Sequence, residues 1–274
     1  ANLQIGGGHG SFNAVKQIQF YTASDAVTTS GTEVMRLDDN SRISLSNNDN
    51  NTGNTVFGSS AFNASSDNGS DYNTVFGGSA MGTGAVSGAN HNIAIGSSSL
   101  NDITSGDDNV SIGSSAMLNA TTASQNVAVG RQAMGLGITT GSGYNVAVGF
   151  ASLFDLTSGA NNVAVGRESG QNLTTGSQNI AIGVQALNTA TDVSNVVAIG
   201  LYAGLDINSS VADGTVLVGR SAGENIQNGA RNTAVGYQAM LDSIGAGDNS
   251  VLGYEALKEG TTSEQNVAVG TYAL

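Results

Sequence analysis

Asn126-Val127-Ala128-Val129-Gly130-Arg131-Gln132-Ala133-Met134 is one copy of a unit that recurs thirteen times from Asn54 to the end of the chain. Its glycine falls at Gly58, Gly77, Gly96, Gly113, Gly130, Gly149, Gly166, Gly183, Gly200, Gly219, Gly236, Gly253 and Gly270, at intervals of 19 or 17 residues. A short fixed period in a long chain means stacked copies of one supersecondary unit rather than a globule around a pocket. Val127 and Val129 fall on one face of a short strand and Ala128 on the other. The position of Val129 is large and apolar in every copy, and that of Val127 is β-branched in all but Ser250. Such residues favour strands.

The opposite face carries Val56, Val75, Ala94, Ser111, Ala128, Ala147, Ala164, Ala181, Ala198, Leu217, Ala234, Val251 and Ala268, with no charge among them. A strand apolar on both faces is buried on both. The valine face is therefore expected in the chain's own core. The alanine face is expected against neighbouring copies of the chain, wound about a common axis, with a homotrimer as the closed form.

The fixed glycine reads as a corner requiring positive φ or close backbone approach. After it come a small residue (Ala133 in the copy above) and a filler that is Leu, Met or Phe except at Gly170, Gly204 and Gly223. The leading Asn is replaced only by Val196 and Thr215. Stacked asparagines about 4.8 Å apart can form an amide ladder, or each can satisfy its own turn. The stretches between motifs, such as Thr139-Thr140-Gly141-Ser142-Gly143 and Thr174-Thr175-Gly176-Ser177-Gln178, read as turns. The fold expected is all-β, a parallel β-solenoid of about 13 coils over residues 54–274, roughly 60 Å long.

Residues 1–53 lie outside the period and read as a small β cap or connector. Lys16 to Thr22 alternates as a strand. Glu33-Val34-Met35-Arg36-Leu37 and Arg42-Ile43-Ser44-Leu45 read as a hairpin around Asp38 to Ser41, followed by a polar linker, Ser46 to Gly53.

Composition supports the same picture. The 274 residues include 39 glycines, no Pro, Cys or Trp, and only 5% aromatics, so the core must be thin and aliphatic. A net charge of −13 disfavours nucleic acid and anionic membranes as partners. No signal peptide or membrane-spanning run stands out. Because the chain begins at Ala1 and stops within a motif at Leu274, it is expected to be a piece of something longer.

The Asn-Val-Ala-Val-Gly-x-x-Ala unit resembles the head repeats of trimeric autotransporter adhesins. The spacing seen around Asn232-Thr233-Ala234-Val235-Gly236-Tyr237-Gln238-Ala239-Met240 is similar to repeats of bacteriophage tail fibres and bacterial fibre proteins. Glu33-Val34-Met35-Arg36-Leu37-Asp38 resembles a short β element found beside such shafts. The likeness spans about four fifths of the chain. It implies a left-handed β-roll in a three-chain bundle, extracellular, on a virion or a bacterial surface.

No chemistry of catalysis stands out. The only histidines are His9 and His91, and without cysteine a zinc site or Cys–His nucleophile has no ligands to draw on. The carboxylate pairs Asp38-Asp39 and Asp107-Asp108 fit solvated turns better than a glycosidase acid and base. For calcium, Asp38 to Arg42 matches neither an EF-hand nor the nonapeptide calcium repeat. Gly82-Thr83-Gly84 and Gly135-Leu136-Gly137 mimic a nucleotide fingerprint but precede no helix. The expectation is therefore no catalytic, cofactor-binding or metal-binding residue.

The leading functional expectation is a non-enzymatic fibre shaft, part of a virion tail fibre that presents a receptor-binding tip. The alternative is a bacterial surface adhesin whose loops bind cells or matrix. In either case the partners expected are further copies of the chain, and a host surface glycan or protein, without membrane insertion. An ice-binding solenoid would need a flat threonine array, whereas Thr121, Thr139, Thr174 and Thr261 begin pairs placed in loops.

Overall fold

The computed structural model describes residues 17–22, 32–38, 43–44, 53–62, 69–83, 86–136, 143–207, 212–262 and 264–273. His9, Asp39, the turn residues 39–41, the linker residues 46–52, Gly84, Gly137 and Thr139 to Ser142 lie outside them. Three strands precede the repeat: β1 (Gln17–Thr22), β2 (Thr32–Asp38) and β3 (Ile43–Ser44). They form an antiparallel sheet in the order β1-β2-β3, with a bulge at Phe20/Tyr21 and with Leu37 opposite Ile43. The hairpin expected from residues 33–45 is this β2–β3 pair.

Every repeat then contributes one three-residue strand. These are β4 (Thr55–Phe57), β5 (Thr74–Phe76), β6 (Ile93–Ile95), β7 (Val110–Ile112), β8 (Val127–Val129), β9 (Val146–Val148), β10 (Val163–Val165), β11 (Ile180–Ile182), β12 (Val197–Ile199), β13 (Val216–Val218), β14 (Thr233–Val235), β15 (Ser250–Leu252) and β16 (Val267–Val269). They stack in chain order as one 13-stranded parallel sheet. Equivalent residues lie side by side throughout, as in Ala128↔Ala147 and Ala147↔Ala164. Register holds across both coil lengths, the two extra residues of a 19-residue coil falling in sequence between one motif and the next.

The coil beginning at Asn162 shows how the chain closes on itself. Asn162, Ala164, Ser169, Gly170, Leu173 and Gly176 are buried, and they alternate with exposed or half-buried positions. Three walls result: the strand, the turn after the glycine, and the return segment. All three are bonded to neighbouring coils. Glu168 N–H donates to Phe150 O (2.8 Å) in the coil before, and Gly170 N–H to Ala186 O (2.9 Å) in the coil after. On the return wall, Thr174 N–H donates to Thr191 O (2.7 Å).

The facing expected from the alternation is reversed. The alanine column is the inside of the solenoid: Ala94, Ala128, Ala147, Ala164, Ala198 and Ala234 are completely buried within the single chain. The flanking column of Phe57, Phe76, Ile95, Val165, Ile182 and Leu252 points outward. Coil thickness is the physical reason. Across the narrow interior the strand faces the filler column, so that a Cβ placed on Gly170 would stand 3.9 Å from Ala164 Cβ. Between walls this close a methyl opposite one long side chain fills the space in most coils, and the larger Val75, Val251 and Leu217 are accommodated in a few. The alanines are therefore explained by the interior of the single chain, and the inference of partner chains from that column does not hold.

Two further columns complete the core. Met81, Leu100, Met117, Met134, Leu153 and Leu187 fill from the turn wall, and Ile103, Leu156, Leu173, Ile207 and Ile226 from the return wall. The second set lies in or beside stretches expected to be only turns.

The corner glycines answer to both demands anticipated for them. Gly96 has φ 131°, and a Cβ there would lie 2.5 Å from Gly113 O of the next coil. The surrounding turns make heavier use of the left-handed region than their composition suggests. Among the described residues thirty-three other than glycine have positive φ, recurring before the Asn (Tyr144, Asn161, Gln178), second after the Gly (Gln132, Glu168) and at the filler (Met134, Leu153). Each such residue costs roughly 1 kcal/mol or more, a load that only interlocked neighbours can hold.

Much of the interlocking is the asparagine ladder. Asn145 N–H and its Nδ2 both donate to Asn126 Oδ1 (3.1 and 3.0 Å), and Nδ2 also donates to Gly159 O (3.0 Å). The same arrangement repeats at Asn162 and Asn179. A second ladder runs beside it: Asp107 Oδ1 accepts Asn90 N–H (2.7 Å), and Ser124 Oγ accepts Asp107 N–H (3.0 Å). Farther along, Ser177 and Ser194 accept from Ala160 and Ser177 in the same manner.

Candidate interaction face

With the alanines inside, the outer face of the long sheet becomes the most unusual surface of the molecule. One of its columns is Phe57, Phe76, Ile95, Ile112, Val129, Val148, Val165, Ile182, Ile199, Val218, Val235, Leu252 and Val269, without a polar interruption. The other runs from Ile93 to Val216 as eight consecutive Ile or Val residues, with threonine or serine at Thr55, Thr74, Thr233 and Ser250. These side chains stand about 4.8 Å apart along the axis and cover one another only partly. Phe76 remains 39% exposed and Ile182 37%. Phe57 and Phe76 stack with centroids 4.9 Å apart at one end of the column. Thirteen strands give a strip ~60 Å long and ~10 Å wide, on the order of 600 Å², more than scattered surface apolar residues account for.

Polar and aromatic columns border the strip. On one side Tyr72 stacks on His91 (5.2 Å), Tyr144 is 62% exposed, and Arg231 Nε pairs with Asp248 Oδ1 at 2.6 Å. The hydrogen bond with Arg231 is the main reason the Asp248 carboxyl is held below its usual range. Beyond the glycines, the Arg131 guanidinium lies 4.5 Å from the Phe150 ring centre and that of Arg220 lies 5.7 Å from Tyr237. Tyr237 in turn stacks on Tyr254 (5.0 Å). A hydrogen bond to Glu255, then burial, push the Tyr254 phenol up to about 12. The Glu255 carboxyl is itself lowered, mainly through its hydrogen bond with Lys258 (2.8 Å).

The residues weighed for chemistry have structural positions. His91 packs on Tyr72, and Asp107 is a rung of the second ladder while Asp108 is exposed. Gly82 sits against Ser60 O and Ser79 of the stack, and Gly135 against the Phe154 ring, so neither opens a phosphate loop. The Thr174 hydroxyl donates to Thr191 O (2.8 Å) rather than belonging to an outward array. Among the described residues no three His, Asp or Glu converge as metal ligands, and no helix is long and apolar enough to cross a membrane. The sequence carries the outer apolar face as the recurring Φ-small-Φ pattern, but the alternation alone points the larger residues inward.

No protein-family model, curated protein or solved structure matches the chain.

Proposed function

We propose that this segment is a non-enzymatic fibre shaft in which copies of the chain bury their outer Φ-small-Φ faces against one another about a common axis. The observation that carries the reading is that continuous apolar strip on a rod whose interior is already complete. A single chain leaves the strip in water, where its burial would yield about 25 cal/mol per Å². An area of this order per chain approaches the ~800 Å² that one partner contributes to a standard protein interface. Three copies around a threefold axis close the assembly and leave the polar columns at the rim.

Such a rod is stiff, lacks convergent reactive groups among its described residues, and carries its sequence variety in loops and bordering columns. Those properties suit an extracellular tail fibre of a virus particle, whose shaft holds a receptor-binding tip away from its base. The test is the mass in solution at micromolar concentration. Three times the 27.3 kDa chain mass is expected, falling to one chain, still folded, for the double variant Val163→Asp/Ile182→Asp. A monomeric parent protein would end the reading.

A further inference from the structure

The polar column through the stack is interrupted at one place. Where β12 passes to β13, the rungs that should be asparagines are Val196 and Thr215. Val196 N–H still donates to Asn179 Oδ1 (3.0 Å), but its side chain offers no acceptor to the next coil. Thr215 is fully buried, and its N–H has no acceptor among the described residues. Its hydroxyl restarts the ladder at longer range, donating to Gly229 O at 3.3 Å and accepting Asn232 N–H at 3.4 Å. The equivalent bonds around Asn162 are 2.9 and 3.0 Å.

The apolar interior changes at the same place. Leu217 stands where other coils mostly have alanine, and the fillers of these two coils are Gly204 and Gly223. A Cβ on Gly204 would lie 2.9 Å from Leu217 Cδ1, and one on Gly223 only 2.6 Å from Cδ2. One leucine therefore occupies the space that two fillers vacate, with a net loss of side-chain carbon. Leu217 thus packs across the junction onto Gly204, Asp213 Oδ1 accepts Ser194 N–H (2.7 Å) and the strand pairing Ala198↔Leu217 continues, so the break lies in the asparagine column itself.

We propose that this junction divides the solenoid into two cooperative blocks, β4–β12 and β13–β16, and that the four-coil block opens as a unit. In a stack held by nearest-neighbour contacts, an opening propagates until it meets a strong interface and begins at a weak one. A buried N–H without an acceptor makes this interface weak, because breaking it returns that group to water. The inference concerns the single chain and stands whether or not the fibre reading does.

Hydrogen exchange of the intact protein, read by mass spectrometry on peptides from each coil, tests it. A step on the order of tenfold in protection is expected between β12 and β13, with β13–β16 exchanging together. The variant Val196→Asn/Thr215→Asn restores both rungs and should abolish the step. Asn109→Val, the same lesion in the continuous ladder, should create a second step between β7 and β8. A smooth gradient inward from β16, or a step unchanged in the repaired variant, would overturn the proposal.

Discussion

Replacing Asn145 by alanine tests whether the ladder holds the solenoid together. The side chain makes four hydrogen bonds: Nδ2 donates to Asn126 Oδ1 and Gly159 O, and Oδ1 accepts from Asn162 N–H and Asn162 Nδ2, all between 2.9 and 3.1 Å. At a net value of about 1 kcal/mol each, their loss amounts to about 4 kcal/mol. Counting orphaned groups instead leads to a similar figure. Asn162 N–H and Gly159 O lose these partners in a fully or nearly fully buried setting, and each then costs about 1–3 kcal/mol. Water cannot replace the amide without a route into the core, because Asn145 is completely buried. The measurement is urea unfolding followed by circular dichroism, comparing midpoint and slope with the parent protein. A loss below about 1 kcal/mol would refute the claim that the ladder carries stability.

Other outcomes follow from the turns and charges. Gly149→Ala places a Cβ against Gly166 O at φ 139°, so a loss of about 4 kcal/mol or failure to fold is expected. Gly214→Ala, where an added Cβ would meet only Arg231 Cγ at 3.7 Å, should be milder when both variants are melted side by side. At Gln132, φ 59°, asparagine should stabilise by about 0.5 kcal/mol and valine should destabilise, an order readable from paired melting curves. Tyr254, pushed up to about 12, should remain protonated in an ultraviolet titration when ordinary tyrosines ionise near 10. Because its folded value is raised, its contribution is present below about 10 and is lost as pH rises toward 12. Glu255→Gln should bring the titration back toward 10. Asp248 has the opposite sign: its lowered carboxyl contributes above about 4 and loses that contribution on acidification, weakly and with screening by salt.

The repeat made the architecture legible because its period fixes strand number, register and corner together. The glycine at Gly130 and the strand at Val127 to Val129 stand where the pattern places them. Facing was not legible. The strand is apolar on both sides in most copies, Thr55, Thr74, Thr233 and Ser250 being the sparse polar marks of the wet side, and the usual rule that larger residues go inward fails where most of the interior positions are filled by a methyl. Ala128 and Val129 could be ordered only once the opposite wall was known to lie so close. Leu156 and Leu173 were hidden in the return segment by their threonine, serine and glycine neighbours, which do form turns but around a buried anchor. The left-handed residues were also invisible, since Gln132 or Tyr144 carries no sign of positive φ in its residue type. The interaction face suffered from the same ambiguity: its residues were identified, and their direction was not.

Among the described residues, the bonds that leave a coil run to the coil before and the coil after, and strand order follows chain order. The rod therefore behaves as a ruler. Duplicating or deleting one coil in the gene moves everything beyond it by about 4.8 Å and disturbs no contact outside the splice. Reach becomes a quantity that can be inherited in discrete steps and tuned by selection without invention of a new fold. Strand register is the same across coils of both lengths, so the graduations stay even.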